Sequence, residues 1–113
     1  MTPRISVVIP VYNEQENIKE LVRRLYPTLD AGFGDDYEVI FIDDGSKDAT
    51  VQILQSLNLK NTRLILLSKN FGQHSAILAG FSKVTAPAVV TMDADLQNPP
   101  EEIPKLYAQY EKG

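Results

Sequence analysis

Two carboxylates one residue apart, Asp93 and Asp95, stand in the segment "TMDADLQNPPEEIP" (91–104), which directly follows the apolar run "AVV". Such a pair repels itself unless a proton or a cation intervenes. A hard divalent ion such as Mg²⁺ or Mn²⁺ takes oxygen ligands. It often draws only one or two from protein and completes its shell with phosphate oxygens and water. That is the chemistry of a bound nucleoside diphosphate. A lone D-x-D is equally what a solvated turn looks like, or a helix cap ahead of Pro99 and Pro100, so its weight depends on where the fold puts it. Gln97, two residues on, carries an amide oxygen able to add a contact to the same ion, although a loop glutamine has no need of that role.

Three further polar clusters have chemical content: "PVYNE" (10–14), "DDGS" (43–46) and "SKNFG" (68–72). The Tyr12 ring can stack on a base and Glu14 can accept from base N–H groups, while Asn13 suits a helix cap. One of Asp43 and Asp44 can hydrogen-bond ribose hydroxyls or a base N–H. Asp-Gly-Ser is also ordinary turn chemistry, because Gly permits positive φ and Asp and Ser bond to nearby backbone. Lys69 can meet a phosphate or lie on the surface. Gly72, Ala76 and Gly80 repeat every four residues, a small-residue stripe that reads as close helix packing. His74 is the single histidine, and with no Ser-His-Asp or Cys-His set around it we assign it no role.

The elements that must position these clusters are legible in the apolar pattern. "ISVVIP", "YEVIFID", "RLILLS" and "AVVTMD" are short, rich in β-branched residues and nearly continuous in apolar ones, as strands buried on both faces are. Between them, Ile18, Leu21, Val22, Leu25 and Leu29 repeat at helical spacing. Asn13 with Glu16 approximates a capping box for that helix. A second helix is expected from about 48 to 57 and a third from about 73 to 83. A fourth is expected from Pro100, where a missing N–H costs nothing and Glu101 and Glu102 complement the helix dipole. The "AGFGDD" stretch (31–36) reads as a loop. The alternating order predicts an α/β fold: a parallel sheet with right-handed crossovers, most simply in strand order 3-2-1-4, the mononucleotide-binding half of a doubly wound domain. All four polar clusters then open on the carboxyl edge of the sheet, where such folds bind ligands. Strands 2 and 4 lie two steps apart, roughly 10 Å, about the span from a nucleoside to its diphosphate.

Composition narrows the classes. The 113 residues suit one small domain or half of a larger one; 43% are hydrophobic and 23% charged, as in soluble globular proteins. A net charge of −4 disfavours nucleic acid and anionic membrane as partners. The absence of cysteine excludes disulfides and thiolate metal sites and fits a reducing compartment. The N-terminus lacks a signal-peptide pattern, and no apolar run nears the ~18 residues of a membrane span.

With these clusters in place, the sequence resembles the family 2 glycosyltransferases, whose fold is the nucleotide-sugar-binding GT-A type. The likeness runs through "SVVIPVYNEQENI", "IDDGSKDAT", "KNFGQHSAILAGFS" and "TMDADLQNPPEEIP". It is similar in particular to the polyprenyl-phosphate sugar transferases. "FGQHSAILAGF" and "DADLQNPPEEIP" resemble the members that transfer 4-deoxy-4-formamido-L-arabinose to undecaprenyl phosphate. The resemblance implies that Pro10, Tyr12 and Glu14 form a nucleotide-base loop. It implies that Asp44, with Asp43, holds the nucleoside and that Ala94 touches the nucleotide. Asp93 and Asp95 would hold Mg²⁺ or Mn²⁺, with Gln97 as an additional contact. Lys69 stands where many relatives carry Arg, which keeps the charge but not a bidentate phosphate clamp.

Residues 1–113 are therefore expected to be the nucleotide-sugar-binding, N-terminal part of a GT-A domain. The implied partners are a nucleotide-sugar donor and a polyprenyl-phosphate acceptor. The implied place is the cytoplasmic face of the inner membrane, reached through a C-terminal region beyond these residues, where the catalytic base is also expected. The piece itself is expected to be soluble, and its exposed sheet edge to favour a homo-oligomer. Two rivals fit less well. A nucleotidyltransferase usually carries a Gly-rich basic loop after strand 1, where this chain has "VYNEQEN". A phospho-acceptor signalling module has its acids after strands 1 and 3, whereas here they follow strands 2 and 4.

Overall fold

A computed structural model describes residues 2–113 of the chain. Four strands, β1 (Ile5–Val11), β2 (Tyr37–Asp43), β3 (Thr62–Leu66) and β4 (Ala88–Thr91), form one all-parallel sheet in the order β3-β2-β1-β4. The helices are α1 (Ile18–Phe33), α2 (Thr50–Ser56), α3 (Gln73–Phe81) and α4 (Ile103–Lys112), the last entered through a 3₁₀ turn at Pro100–Glu102. The expected topology and element order are those observed.

The two sheet faces are covered unequally. Ile5, Val7, Ile9 and Val11 of β1 and Tyr37, Val39 and Phe41 of β2 pack with Leu21, Leu25 and Leu29 of α1, Leu54 of α2 and Ile103 of α4 in one large core. The other face holds a smaller cluster, Val8, Ile40 and Ile42 under Ala76 of α3. Arg24 of α1 clamps the start of the last helical segment. Its Nε and Nη2 donate to the two carboxylate oxygens of Glu101 at 3.0 and 2.7 Å, a pairing that holds Glu101 down at about 2.

Only β1 and β2 are buried along their whole length. The expectation of four strands buried on both faces fails for β3 and β4, which are partly exposed. They are the sheet edges, and α3 packs mainly on β1 and β2, so Leu66 and Val89 reach solvent.

Of the small residues Gly72, Ala76 and Gly80, the last two work as packing; Gly72 precedes α3, and a Cβ built there would meet nothing within 4 Å. A Cβ built on Gly80 would lie 2.6 Å from Ile42 Cδ1 and 2.7 Å from Val8 Cγ1, so α3 sits closer to the sheet than any side chain allows. Ala76 is fully buried on the same face.

Candidate functional site

β1 carries Pro10 one residue before its end. The Val8 carbonyl accepts from Met92 N at 3.1 Å, so alternate β1 residues 6, 8 and 10 turn their polar backbone toward β4. Pro10 has no N–H to offer there, and β4 has already stopped at Thr91, opposite Val8. The ladder between β1 and β4 therefore ends early. A crevice opens at the point where strand order reverses, the position at which open α/β sheets bind ligands.

The crevice is a cleft of about 380 Å³ lined by Pro10, Val11, Tyr12 and Glu14 from β1 and its loop and by Asp44 after β2. Asn70, Gly72 and Gln73 complete it from the β3–α3 connection, with Asp93, Ala94 and Asp95 after β4. Seven residues singled out from sequence thus share one cavity. Asp43 and Lys69 lie instead on an adjoining cavity of about 540 Å³, which shares Tyr12 and Asn70 with the cleft. The Lys69 ammonium stands 5.4 Å from the Phe71 ring centroid. Gln97 is not among the cleft residues; its backbone N–H donates to Asp95 Oδ1 at 3.1 Å, tightening the loop that carries the acid. Leu96 between them has φ 67°.

The two acids after β2 have different surroundings. Asp44 is 3% exposed and receives two backbone donors, Phe71 N and Gly72 N, each at 2.8 Å. Both of its carboxylate oxygens thus take part in holding the β3–α3 loop. Asp43 is equally buried; Ser46 N donates to its Oδ2 at 3.0 Å, and its Oδ1 has no partner among the described residues. Between these acids and the loop sits Gly45, φ +80°, where a Cβ would come within 2.8 Å of Asn70 N.

The loops after β1 and β2 are tied together. Asn13 N donates to Ser46 Oγ at 2.9 Å, and Lys47 N donates to Asn13 Oδ1 at 2.9 Å. Glu14 N donates to Thr50 Oγ1 at 2.9 Å, and Ala49 N donates to Gln15 Oε1 at 3.0 Å. Asn13 is thus not the helix cap that its spacing suggested. At φ 53° it bridges to the second loop, and α1 begins five residues later, at Ile18 after Asn17. A polar side chain with a long-range partner outcompetes local capping. Asp48 joins the network by accepting from Gln15 N and from the Thr50 N–H and hydroxyl. Burial alone would push its carboxyl up, but the bonds from Thr50 and Gln15 outweigh it and hold it below its ordinary value.

Asn70, inside the "SKNFG" cluster, and Gln73, at the expected start of the third helix, carry no site role in the sequence reading. Gln73 opens α3 and its Nε2 donates to Asp93 Oδ1 at 2.5 Å. The available signal was their position, at and just after a polar cluster that ends a strand.

Comparison with known proteins agrees with this architecture. Residues 6–113 match the glycosyl transferase family 2 domain. TarS 1-349 of S. aureus is similar, with 26% identity over 99% of this chain and 32% of that one and a TM-score of 0.76. The same TM-score is found for that protein in complex with UDP-GlcNAc. The mannosyltransferase PcManGT from Pyrobaculum calidifontis, in complex with GDP-Man and Mn²⁺, is 26% identical over 84% of this chain and 28% of that one, with a TM-score of 0.73. The chain thus spans 32% and 28% of the lengths of these structures. A match over nearly all of its residues, on a parallel sheet in the order expected, establishes that this chain belongs to glycosyl transferase family 2.

Proposed function

We propose that this chain is the donor-binding part of an inverting glycosyltransferase that moves a sugar from a nucleoside diphosphate to a polyprenyl phosphate. The observation that carries the reading is the charge of the cleft. Glu14, Asp44, Asp93 and Asp95 line it, and among the described residues no Lys or Arg does. A bare diphosphate is repelled by such a wall; a diphosphate carrying Mg²⁺ or Mn²⁺ is not.

The donor set fits such an ion. Asp93 and Asp95 offer hard carboxylate oxygens. Among the described residues no group of three or more Asp, Glu, His or Cys closes around a common point. Two carboxylates suffice only when ligand oxygens complete the shell, which is how Mg²⁺ is commonly held at phosphates. When bound, the ion supplies positive charge against the departing diphosphate.

The chain's own residues divide the remaining work. Tyr12, at the junction of the two cavities, stacks on the base. Asp43 and Asp44, with Pro10 and Glu14, take the nucleoside end, and buried Ala94 lets the nucleotide approach the backbone between the two acids. Lys69 reaches toward phosphate from the adjoining cavity, and Gln97 is a further contact for the ion. In the reaction, a phosphate oxygen of the acceptor bonds to the anomeric carbon as its bond to the diphosphate oxygen breaks, and the nucleoside diphosphate leaves with the electron pair. The catalytic base is assigned to parts of the enzyme that these residues do not span.

The finer reading is UDP-4-deoxy-4-formamido-L-arabinose as donor and undecaprenyl phosphate as acceptor, at the cytoplasmic face of the inner membrane. It is supported by the stretches "FGQHSAILAGF" and "DADLQNPPEEIP". No helix among the described residues is long and apolar enough to cross a membrane. Membrane contact in this reading comes through the acceptor and the remainder of the enzyme.

Calorimetric titration of UDP and GDP, with Mn²⁺ and with EDTA, on the wild-type chain and Asp95→Ala tests the proposal. Metal-dependent binding that disappears in Asp95→Ala is expected. Equal affinity with and without metal would remove the role given to the two acids.

A further inference from the structure

The geometry points to Gln73 as a positioning residue for Asp93, an inference that rests on the metal–diphosphate reading above. Gln73 is the first residue of α3, on the opposite side of the cleft from β4, and its side chain crosses to donate from Nε2 to Asp93 Oδ1 at 2.5 Å. A carboxylate only accepts, so the amide nitrogen must face it.

The base from which Gln73 reaches is fixed at three points. Phe71 N and Gly72 N are held by Asp44 at 2.8 Å each. Gly72 N is shared with Asn70 Oδ1 at 2.9 Å. The far end of α3 is wedged on Val8 and Ile42 through Gly80. Gln73 therefore transmits the position of a rigid helix start to an acid on a loop beyond the end of an edge strand.

The complementary arrangement at Asp95 gives this bond its meaning. Asp95 Oδ1 is occupied by Gln97 N at 3.1 Å, and Asp93 Oδ1 by Gln73. Each carboxylate then has one oxygen committed to an N–H donor and the other, Oδ2, left for an ion. A donor on the back of a metal-binding carboxylate fixes its rotamer and offsets the repulsion between the two acids. The link also joins Asp44, on the nucleoside side, to Asp93, on the metal side, through residues 71–73.

The test uses the 113-residue chain with Gln73→Met, which keeps length and bulk but not the donor, and Gln73→Ala. Gln73 is exposed, so neither substitution opens the core. Free Mn²⁺ is measured by electron paramagnetic resonance at saturating UDP, UDP affinity in EDTA by calorimetry, and stability by urea unfolding. Loss of an outer partner of a metal ligand typically weakens binding by about 10–100-fold. That loss of Mn²⁺ affinity is expected in both variants, with UDP binding in EDTA and the urea midpoint unchanged. Unaltered Mn²⁺ affinity, or an equal loss in EDTA, overturns the assignment. UDP affinity of the wild-type chain that is equal in Mn²⁺ and in EDTA overturns the underlying reading instead, and the assignment falls with it.

Discussion

Replacing Gly45 by alanine probes the joint between the loops after β2 and β3. The added Cβ would lie 2.8 Å from Asn70 N, 2.8 Å from Lys69 C and 3.1 Å from Lys69 Cα. Carbon atoms in good contact stand about 3.5–4.0 Å apart, so the overlap approaches 1 Å. All three atoms are backbone, so no rotamer change relieves it. At φ +80° a side chain costs about 1–2 kcal/mol before any clash, and overpacking adds about 1–3 kcal/mol. A loss of about 3 kcal/mol corresponds to a fall of about 1.5 M in the urea midpoint at a slope of about 2 kcal/mol/M. Because the loop that must yield is the one Asp44 holds through Phe71 N and Gly72 N, Mn²⁺-dependent UDP affinity should fall as well. Urea unfolding followed by circular dichroism, paired with the calorimetric titration, reads both. A loss below about 1 kcal/mol, no more than the backbone conformation alone costs, would refute the close approach of the two loops.

Gly80→Ala should destabilise by about 1–2 kcal/mol, overpacking against Val8 and Ile42 exceeding a helix-propensity gain of about 1 kcal/mol. Gly32→Ala, whose Cβ would meet only Pro104 at an ordinary 3.5 Å, should instead stabilise by up to about 1 kcal/mol; thermal melts separate the two signs. Asp44→Ala leaves Phe71 N without an acceptor and should cost about 2–4 kcal/mol of stability even without ligand, measured by urea unfolding. The Asp48 carboxyl lies below its ordinary value in the folded chain, so its contribution is complete above the unfolded value near 3.9 and disappears as pH falls through the lower folded one. The acid limb of a stability–pH curve should accordingly be shallower for Asp48→Asn than for wild type.

The fold was readable because its signals are local and mutually consistent. Apolar runs of strand length, such as "YEVIFID", alternate with helical periodicity, and β2 occupies the residues expected of it. Burial at the edges was less legible, because "RLILLS" and "AVVTMD" have the composition of central strands and only topology makes them edges. At the site, the clusters were identifiable by residue type and by their place at strand ends. Their division of labour was not. Nothing in "DDG" says that Asp44 turns to the β3–α3 loop while Asp43 keeps a buried oxygen unpartnered. Asn13 and Gln73 find partners 34 and 20 residues away, a separation at which single-sequence spacing carries no information.

The mutual stapling of the loops after β1 and β2 bears on any attempt to exchange them between family members. Segments 13–15 and 46–50 are hydrogen-bond complements: backbone N–H groups on each side find their acceptors in side chains of the other. Grafting one segment alone from a family member would strand donors on the segment left behind. The transplantable module is the pair, exchanged together.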